Sequence, residues 1–463
     1  MMQGSDLMKV VSDTFKKDLE FYGKMITSNI YIGEEIIEKK NINSINYHYE
    51  ADILKSAMKQ CDIELDGIYD YKRGTIIEQI NFGVKGTSED YEYISWNEWV
   101  IDEVEISEDE QITKLTCYDK MIYSMIDYDL EIEYPITVGM YLKKICDRLG
   151  LNLKSAQFVN SNVEIEEEKY LGLGYTFRDV LDEIAQVSAG TIAIDDLGWL
   201  EVMYVNNTES KIKGDKEGNT SKLTIGKKIG PINSVVIART PQEDNIYIKD
   251  DESIEQNGLF EVKIANNQII DSHREDFKEG IFNQLNGLTY YTYELESYGI
   301  CYLDLMDMFE LKGKDEKYYP ALMLNDDIKI TQDLWETSNC EEPETTETDY
   351  LCASETDKTL LRTIIKVNKQ EGKITELVEE TKQNSYKISQ VEQTMDSITQ
   401  EIKAEYNFLE TEEGKPQLHL EDSLEFQAKE FILNGYTDSY FIYPSEDLYP
   451  MDDLYALGLG EGE

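Results

Sequence analysis

The sequence predicts an α+β protein that is mainly β, and three observations carry this prediction. Short runs that alternate apolar and polar residues fill two long stretches, at about 30–130 and about 234–330. Helical periodicity with capping residues lies between these stretches, at 137–190. Apolar residues at strict seven-residue spacing begin at Leu360. The predicted order is therefore β-rich, helical, β-rich, and then a long helix.

Composition limits the kinds of protein that this chain can be. Its 463 residues include 44 Lys plus Arg and 94 Asp plus Glu, a net charge of 44 − 94 = −50. This balance excludes a basic nucleic-acid footprint over the whole chain and disfavours anionic membranes. Disorder does not follow, because 41% hydrophobic and 11% aromatic residues suffice for two or three cores. We expect no signal peptide and no membrane span, because no apolar run is long enough.

The first predicted unit covers residues 1–133. An amphipathic helix opens it, because apolar residues recur there at three- and four-residue spacing: Leu7, Val11, Phe15, Leu19 and Tyr22. The chain then changes to period-two alternation, as at 99–107 and 112–116. Such runs predict half-buried strands, so this unit is a first β-rich domain behind a helix.

The second predicted unit is a helical or α+β insertion over residues 134–205. Thr137 is a candidate N-cap for a helix that ends at Gly150. Thr176 and Asp179 have the spacing of a capping box for a second helix that ends near Gly190. Residues 191–202 predict a hairpin around the turn at 195–198.

Two further segments precede the long helix. Strand-like runs over residues 206–335 predict a second β-rich domain. Residues 336–359 predict an acidic linker, because acids such as Glu336 and Glu341 are opposed only by Lys358 and large apolar residues are scarce.

Residues 360–405 predict a coiled coil, although a surface helix packed on its own domain is the alternative. The a and d positions form the predicted oligomerisation core: Leu360, Val367, Ile374, Leu377, Ile388, Val391, Met395, Ile398 and Ile402. Polar Gln370 and Asn384 at d positions would fix the register.

Residues 406–463 predict a small strand-rich cap. Its tyrosines are candidates for a docking patch: Tyr436, Tyr440, Tyr443, Tyr449 and Tyr455.

The residues give no catalytic, cofactor or metal site. The three histidines, His48, His273 and His419, stand far apart and match no metal-binding spacing. The six cysteines form no CxxC pair, so we expect free and mostly buried thiols. No GxSxG or P-loop motif occurs. The paired aspartates at 195–196 and 326–327 lack the calcium-loop pattern, so we expect them to have turn and edge-strand roles instead. A glycosidase carboxylate pair is neither excluded nor supported by residue type.

Several segments together resemble the tail-tip baseplate hub family, also called tail-associated or minor structural proteins, of long-tailed phages and prophages of Gram-positive bacteria. The resemblance covers about residues 1–400 and contains no catalytic motif. Its segments are WVIDEVEISEDEQITKLTCYDKM (99–121), YPITVGMYLKKICDRLGL (134–151), YTFRDVLDEIAQVSAGTIAIDDLGWLEV (175–202), NSVVIARTPQEDNIYIKDDESIEQNGLFEVKIANNQII (233–270), LDLMDMFEL (303–311) and ETTETDYLCASETDKTLLRT (344–363) leading into KVNKQEGKITELVEE (366–380). One departure is Met306, where the family pattern has glycine.

The resemblance implies a structural protein of the virion tail tip, made in the bacterial cytoplasm, and no enzyme. Two β-barrel-like tube domains would flank the helical insertion, and three subunits would form a ring that caps the tail tube, with the coiled coil extending distally. Implied partners are two further copies, the distal tail or tail-tube protein and receptor-binding or other baseplate proteins. DNA would be a passenger through the lumen, and we expect part of the acidic excess to line it.

Two other functions stay open on the sequence. One is a tail-associated cell-wall hydrolase that uses a carboxylate pair. The other is a module whose C-terminal piece binds a host saccharide directly. The given sequence has 61 residues after Ile402, which is short for a catalytic domain by ordinary domain sizes.

Overall fold

A computed structural model describes residues 11–167, 169–213, 220–238, 245–265, 267–271 and 274–341, and the backbone of 407–410 and 416–419. Residues up to 369 belong to one unit and residues 370–463 to a second. The described residues of the first unit carry the fold, and the second contributes one short strand pair, β23–β24. Among the described residues, no helix combines the length and the apolar composition needed to cross a membrane.

Six α-helices and twenty-four strands are present in the described residues. The helices are α1 (Asp13–Glu20), α2 (Val138–Leu149), α3 (Phe177–Ser188), α4 (Asp251–Asn257), α5 (Gln268–Asp271) and α6 (Arg274–Leu285), with 3₁₀ turns at Lys39–Asn41 and Lys120–Met125. The strands of the first half are β1 (Met25–Ile32), β2 (Glu35–Glu38), β3 (Ile42–Glu50), β4 (Met58–Asp66), β5 (Ile76–Lys85), β6 (Glu92–Ser107), β7 (Ile112–Asp119), β8 (Ile136–Thr137), β9 (Asn152–Leu153), β10 (Glu164–Ile165), β11 (Thr191–Ile194) and β12 (Trp199–Met203). Those of the second half are β13 (Asn206–Lys213), β14 (Thr220–Ile229), β15 (Ser234–Ala238), β16 (Ile246–Lys249), β17 (Glu261–Ala265), β18 (Tyr290–Ser297), β19 (Asp307–Lys312), β20 (Tyr318–Leu322), β21 (Asn325–Ile330), β22 (Leu334–Cys340), β23 (Asn407–Glu410) and β24 (Pro416–His419).

One eleven-stranded sheet organises the molecule, in the order β14-β18-β22-β21-β3-β4-β7-β6-β5-β1-β2. Its central junction pairs β21 with β3 in antiparallel register, from Asn325 opposite Glu50 to Ile330 opposite Ile45. The two β-rich segments therefore share one sheet although about 275 residues separate these strands in the chain. The mainly β, α+β fold class is confirmed.

The sheet core lies against one face of this sheet. Alternate residues of each strand enter it, for example Ile45, Tyr47 and Tyr49 of β3, all at most 1% exposed. The ring of Tyr47 stacks on Trp96 of β6 with centroids 4.5 Å apart. Such enclosed aromatic pairs stabilise a core beyond the area they bury, by about 0.5–1.5 kcal/mol each.

A second, helical core unites segments that the predicted boundaries separate. Its buried residues come from α2 and α3 of the insertion, but also from β15, β17, α5 and α6 of residues 232–288. The prediction placed 232–288 wholly in the second β-rich domain, so the packing divides the chain differently. The physical reason is that α6 packs on β15 and α3, which buries Phe277 and Ile281 against the insertion.

Local signals for the two insertion helices are confirmed. Thr137 caps α2, whose C-cap Gly150 has φ 72°. Thr176 and Asp179 form the capping box of α3, and β11 pairs with β12 as the predicted hairpin.

The predicted opening helix is longer than α1 at both ends, as far as the described residues show. Ser12 caps α1 at Asp13, and Tyr22 follows the helix fully exposed instead of lying on its buried face.

Strand β22 corrects the start of the predicted linker. It runs through Cys340, and its Glu336 is fully buried and accepts a hydrogen bond from the backbone N–H of Ile300 at 2.5 Å. The strand extends past 335 because Ser338 and Cys340 continue the inward alternation begun by Leu334.

The cysteines of the described residues are free and buried, as predicted for the thiols: Cys61, Cys117, Cys146, Cys301 and Cys340.

Candidate functional site

The sheet presents a continuous polar face on the side away from the sheet core. We define the polar face as the outward residues of β14, β18, β22, β21, β3, β4, β7 and the second half of β6. One row across it is Lys222, Glu296, Thr337, Asp327, His48, Gln60 and Tyr118, each paired with the next across neighbouring strands. The row crosses the β21–β3 junction without interruption, so both β-rich segments contribute to a single surface.

The alternation of the strands creates this face. In β4, Cys61, Ile63 and Leu65 point into the sheet core, while Asp62 and Glu64 point outward. Side chains of a strand alternate between the two faces, so a fixed inward set fixes the outward set as well. The polar face is therefore a direct consequence of burying the opposite face.

Carboxylates dominate the polar face. Its paired positions hold nine acids and three lysines, with His48 as the only other titratable cation: Glu50, Asp62, Glu64, Asp66, Glu103, Glu105, Glu294, Glu296 and Asp327 against Lys114, Lys222 and Lys329. Two of these lysines pair within the face. Lys222 Nζ lies 2.6 Å from Glu294 Oε1, and Lys114 Nζ lies 4.0 Å from Glu64 Oε2. The surplus of negative charge on the face is therefore uncompensated there.

The middle of the face is crowded with acids. His48 Nδ1 lies 3.6 Å from Asp327 Oδ2, and its Nε2 lies 3.8 Å from Glu50 Oε1. Burial raises the pKa of Asp327, and the nearby Asp62 carboxylate adds to this, while His48 and Lys329 oppose it. The raised pKa of Asp327 therefore reflects its partial burial first and the neighbouring Asp62 carboxylate second.

The helical core borders the polar face at one end. Val100, Tyr118 and Met58, which lie on the outward side of β6, β7 and β4, pack against that core instead of solvent. The open part of the face therefore begins one pair further along, at Asp62, Thr116 and Glu103.

A buried ion network fixes the helical core to the sheet. Lys59 of β4, only 2% exposed, places its Nζ 3.0 Å from Asp196 Oδ1 and 3.8 Å from Asp304 Oδ1. Burial by itself would lower the pKa of Lys59, but Asp196 and Asp304 raise it well above its ordinary value. Asp196 stands in the β11–β12 turn and Asp304 between β18 and β19, so one ammonium group joins three segments.

A second set of polar contacts continues this attachment. Arg178 of α3 donates to the carbonyl of Ser56, and Asp182 accepts from the Ser56 N–H at 2.7 Å. Asp119 accepts from the Lys59 N–H at 3.1 Å, and burial raises its pKa to about 6, against the opposing influence of Lys59. The insertion is thus held rigidly at one border of the polar face.

Glu183 forms a third buried site, inside the helical core. Its carboxylate accepts from Tyr170 Oη at 2.8 Å and from the Gln268 N–H at 2.6 Å. Burial raises its pKa to about 7, although these hydrogen bonds lower it. The group ties α3 to the 158–175 loop and to α5.

These buried carboxyls do not form a catalytic pair accessible to a polymer. Asp119 is 2% and Glu183 is 9% exposed, and each is engaged by the protein's own donors. The open carboxylates of the polar face lie spread over a broad sheet surface. In the part of the chain that the structure describes, no three metal-ligating side chains come together as a metal site.

The residues singled out by the sequence do not coincide with this site. The predicted coiled-coil core from Leu360 to Ile402 and the five C-terminal tyrosines lie outside the described residues, as do the linker beyond 341 and Cys352. Asp195 has the predicted turn role, since Oδ1 accepts from the Leu197 and Trp199 N–H groups. Asp326 and Asp327 lie on β21, which is central and not at an edge as predicted.

The polar face itself was not singled out from the sequence. The alternation of Gln60, Asp62, Glu64 and Asp66 with apolar residues is visible in the printed chain. It identifies an outward acidic row on one strand. It does not identify which strands adjoin it, and that adjacency makes the face continuous.

Solved structures to which this chain is similar include three tail proteins, two of them from prophages. A tail protein from Neisseria meningitidis MC58 matches with TM-score 0.47 and 10% identity, over 69% of this chain and 96% of that one. The 43 kDa tail protein of prophage MuSo2 from Shewanella oneidensis matches with TM-score 0.42 and 12% identity, over 68% and 98%. Prophage tail protein gp18 from Listeria monocytogenes EGD-e matches with TM-score 0.43 and 9% identity, over 69% and 95%. No family model and no curated protein matches the sequence.

Proposed function

We propose that this protein is the hub of a phage tail tip, in which three copies form a ring that caps the tail tube. The observation that carries the proposal is the single polar face that runs over eight strands and across both β-rich segments. A face of that width, opposite a closed apolar core, suits the wall of a shared channel. The dispersed sequence resemblance to Gram-positive tail-tip hubs supports the same assignment.

The dimensions of the sheet suit a channel. Three copies of eight strands give twenty-four, and a strand spacing of about 4.8 Å gives a circumference of roughly 115 Å, or about 37 Å across between backbones. Barrels of 16–18 strands already leave an aqueous channel. Strand tilt widens the ring further.

The charge of the polar face suits DNA as a passenger. Phosphates bind tightly to lysine and arginine because binding releases condensed counterions. A wall with nine acids and three lysines per copy offers few such contacts and repels phosphates within a Debye length, about 8 Å at physiological salt. Part of the chain's net charge of −50 would then lie on the channel wall and repel the DNA phosphates there.

The remaining parts of the proposal concern the distal end. The seven-residue pattern from Leu360 to Ile402 would form a three-stranded stalk, and residues 406–463 would dock receptor-binding or other baseplate proteins. The proximal side of the ring would contact the distal tail or tail-tube protein. The assembled protein would reside in the virion tail tip after synthesis in the host cytoplasm.

Electron microscopy and light scattering of the purified full chain test the ring. We expect three-fold particles with a central channel and a mass of three chains at micromolar concentration. A monomer under these conditions, without a channel-bearing particle, contradicts the proposal. Replacing Ile374 and Ile388 by Asp should disrupt the stalk. The control is Lys373→Asp with Lys387→Asp, which changes the preceding residue of each heptad and keeps the predicted apolar seam.

The hydrolase alternative makes a separate prediction. Purified protein incubated with peptidoglycan would release reducing ends or amines, and one carboxylate substitution would abolish that release. We expect no release, because the carboxyls with raised pKa inside the protein are enclosed. The saccharide-binding alternative predicts that deletion of 403–463 abolishes adsorption of the isolated protein to host cells while trimers persist.

A further inference from the structure

Lys59 is an amine that the fold encloses beside two carboxylates. Its side chain is 3% exposed, and its Nζ lies 3.0 Å from Asp196 Oδ1 and 3.8 Å from Asp304 Oδ1. The side chains of these two aspartates are 14% and 7% exposed. The proposed ring and channel wall do not use this group. A nitrogen that touches a carboxyl group in a site closed to water has the components of an amide bond.

Aromatic rings border this site on the side of the sheet. Tyr47 is close enough to affect the pKa of Lys59, and its ring stacks on Trp96 and meets Trp99 edge-on. All three rings are at most 2% exposed. Such an environment disfavours charged groups and leaves little water to reverse a condensation.

The backbone holds both potential reaction partners in place. Lys59 lies in β4, and its N–H donates to Asp119 Oδ2 at 3.1 Å. Asp196 lies in the turn between β11 and β12, and its carbonyl accepts from the Asn97 N–H at 3.1 Å. Groups that are fixed in contact can reach effective molarities of about 10⁵–10⁸ M. A condensation that is very slow between free groups in water therefore becomes feasible here.

We propose that Lys59 and Asp196 form an intramolecular isopeptide bond after the chain folds. The nitrogen Nζ attacks Cγ of Asp196, the N–Cγ bond forms, and one oxygen of the Asp196 carboxyl group departs as water. The ammonium group supplies both hydrogen atoms of that water and keeps one hydrogen on the amide nitrogen. The pair is neutral overall before and after the reaction, and no oxidant or other co-reactant is needed.

Asp304 is placed to carry the proton. Burial lowers the pKa of Lys59, but Asp196 and Asp304 together raise it well above its ordinary value. The resting nitrogen is therefore protonated and must lose a proton before it attacks. Asp304 takes that proton, passes it to the departing oxygen and ends as the carboxylate that it was at the start. The Leu305 N–H orients Asp304 Oδ1 by donating to it at 2.8 Å.

The bond joins the sheet to the helical core by a covalent link. It connects β4 to the β11–β12 turn and closes a loop between residues that are 137 positions apart. A link that closes a long loop restricts the unfolded chain and so stabilises the folded protein. It also replaces a buried ion pair, whose desolvation is costly, by a neutral amide.

Lys154 provides an internal control in the same hairpin. Its Nζ also lies 3.0 Å from each of two carboxylates, those of Asp195 and Glu201, but its side chain is 38% exposed. Water reaches this ammonium group, so it remains an ordinary ion pair. If proximity to carboxylates were sufficient, both lysines would react. Enclosure predicts that only Lys59 does.

Mass spectrometry of the purified full chain tests the proposal. We expect an intact mass that is lower than the mass of the sequence by one water molecule. In tryptic digests, peptide 56–72 should be uncleaved at Lys59 and joined to peptide 179–211, whereas cleavage after Lys154 should be complete.

Two variants examine the chemistry, with circular dichroism to verify folding. Lys59→Arg keeps the positive charge and lacks the reactive amine, so it should lose no water and yield peptide 60–72 unlinked. Asp304→Asn keeps both reaction partners and removes the proton carrier. Its linked fraction, followed over days after purification, should rise about 100-fold or more slowly than that of wild type.

The wild-type measurements decide the proposal even if a variant does not fold. A wild-type chain with the full mass of its sequence and free peptide 60–72 overturns it. Loss of water within a single peptide, without a linked pair, overturns it as well. A link from Lys59 to peptide 279–312, which contains Asp304, contradicts the assignment to Asp196. Linking at the wild-type rate in Asp304→Asn contradicts the role of Asp304 in the reaction.

Discussion

Lys59 Nζ and Asp196 Oδ1 lie 3.0 Å apart across the border between the eleven-stranded sheet and the helical core. Both side chains are largely enclosed, with 3% and 14% of their surface exposed, and Asp304 approaches the same ammonium group. A buried charge is tolerated only when it is paired. The two parts of the protein are therefore held by a contact that depends on all three partners.

Lys59→Met should destabilise the protein by about 3–5 kcal/mol, because it leaves Asp196 and Asp304 buried without their cation. Urea unfolding followed by tryptophan fluorescence measures the loss. Lys40→Met is the matched control, since Lys40 also pairs with a carboxylate, Glu38, but is 73% exposed. That control should change stability by less than about 1 kcal/mol. Equal effects from the two substitutions would show that the buried network contributes nothing specific.

Stability should decrease from mildly acidic to mildly alkaline pH through Glu183. Burial raises the pKa of Glu183 from 4.5 to about 7, so the folded protein holds this proton more tightly than the unfolded chain. The stabilisation that this proton gives the folded protein is complete below about pH 4.5 and is lost as pH rises through about 7. The free energy of unfolding should fall by on the order of 3 kcal/mol over that range. Hydrogen exchange of α3 and α5 between pH 5 and 8 reports it locally.

Glu183→Gln is the test of that assignment, because the amide keeps the shape and does not titrate. The variant should show a flatter stability profile across the same pH range. Glu252→Gln, on exposed α4, should leave the profile unchanged. An identical slope in wild type and Glu183→Gln would assign the pH dependence to other groups, of which Asp119, with its pKa raised to about 6, is the next to examine.

Thr176→Ala should destabilise the helical core by about 1 kcal/mol, because it removes one half of the capping box of α3. The Thr176 hydroxyl accepts from the Asp179 N–H at 3.2 Å, and the Asp179 carboxylate accepts from the Thr176 N–H at 2.7 Å. Thr176→Ser keeps the hydroxyl and should stay within a few tenths of a kcal/mol of wild type. Thermal unfolding distinguishes the two, and similar losses from both would point to the lost methyl group.

Reversing charge on the polar face should create DNA binding. Glu50→Lys, Asp62→Lys and Glu64→Lys together place cations in the middle of the face, on β3 and β4. Fluorescence anisotropy with duplex DNA should then show binding that falls steeply as salt rises, whereas wild type shows none. The same charge change on α4, by Asp251→Lys, Glu252→Lys and Glu255→Lys, should bind more weakly. Tight binding by wild-type protein would contradict a non-adhesive channel wall.

Local features of the fold could be predicted from the sequence because a few adjacent residues determine them. The caps of α2 and α3 and the 191–202 hairpin are set by hydrogen bonds within a few positions, and they appear where predicted. Met306 is informative in the same way. It stands where glycine was expected and adopts φ 70°, so the left-handed turn is kept without glycine.

Non-local features could not be predicted, because alternation specifies the face of a strand but not its neighbour. Nothing in residues 42–50 indicates that 325–330 will pair with them. The continuous polar face follows from that pairing and was missed with it. Glu336 was assigned to a linker because the acids of 336–359 are opposed only by Lys358 and large apolar residues are scarce there. In the structure the strand register buries Glu336, and its carboxylate accepts a hydrogen bond from the Ile300 N–H.

The β3–β21 junction also has a consequence for how the chain is made. At about 5–20 residues per second, roughly 15–55 s pass between translation of Glu50 and translation of Asn325. Throughout that interval the nascent N-terminal strands have an open side, because the strand that completes them has not yet left the ribosome. Pairings this distant in sequence form slowly and leave apolar edges exposed. Efficient production should therefore depend on shielding β3 during translation, and added chaperone at an unchanged expression rate should raise the soluble yield.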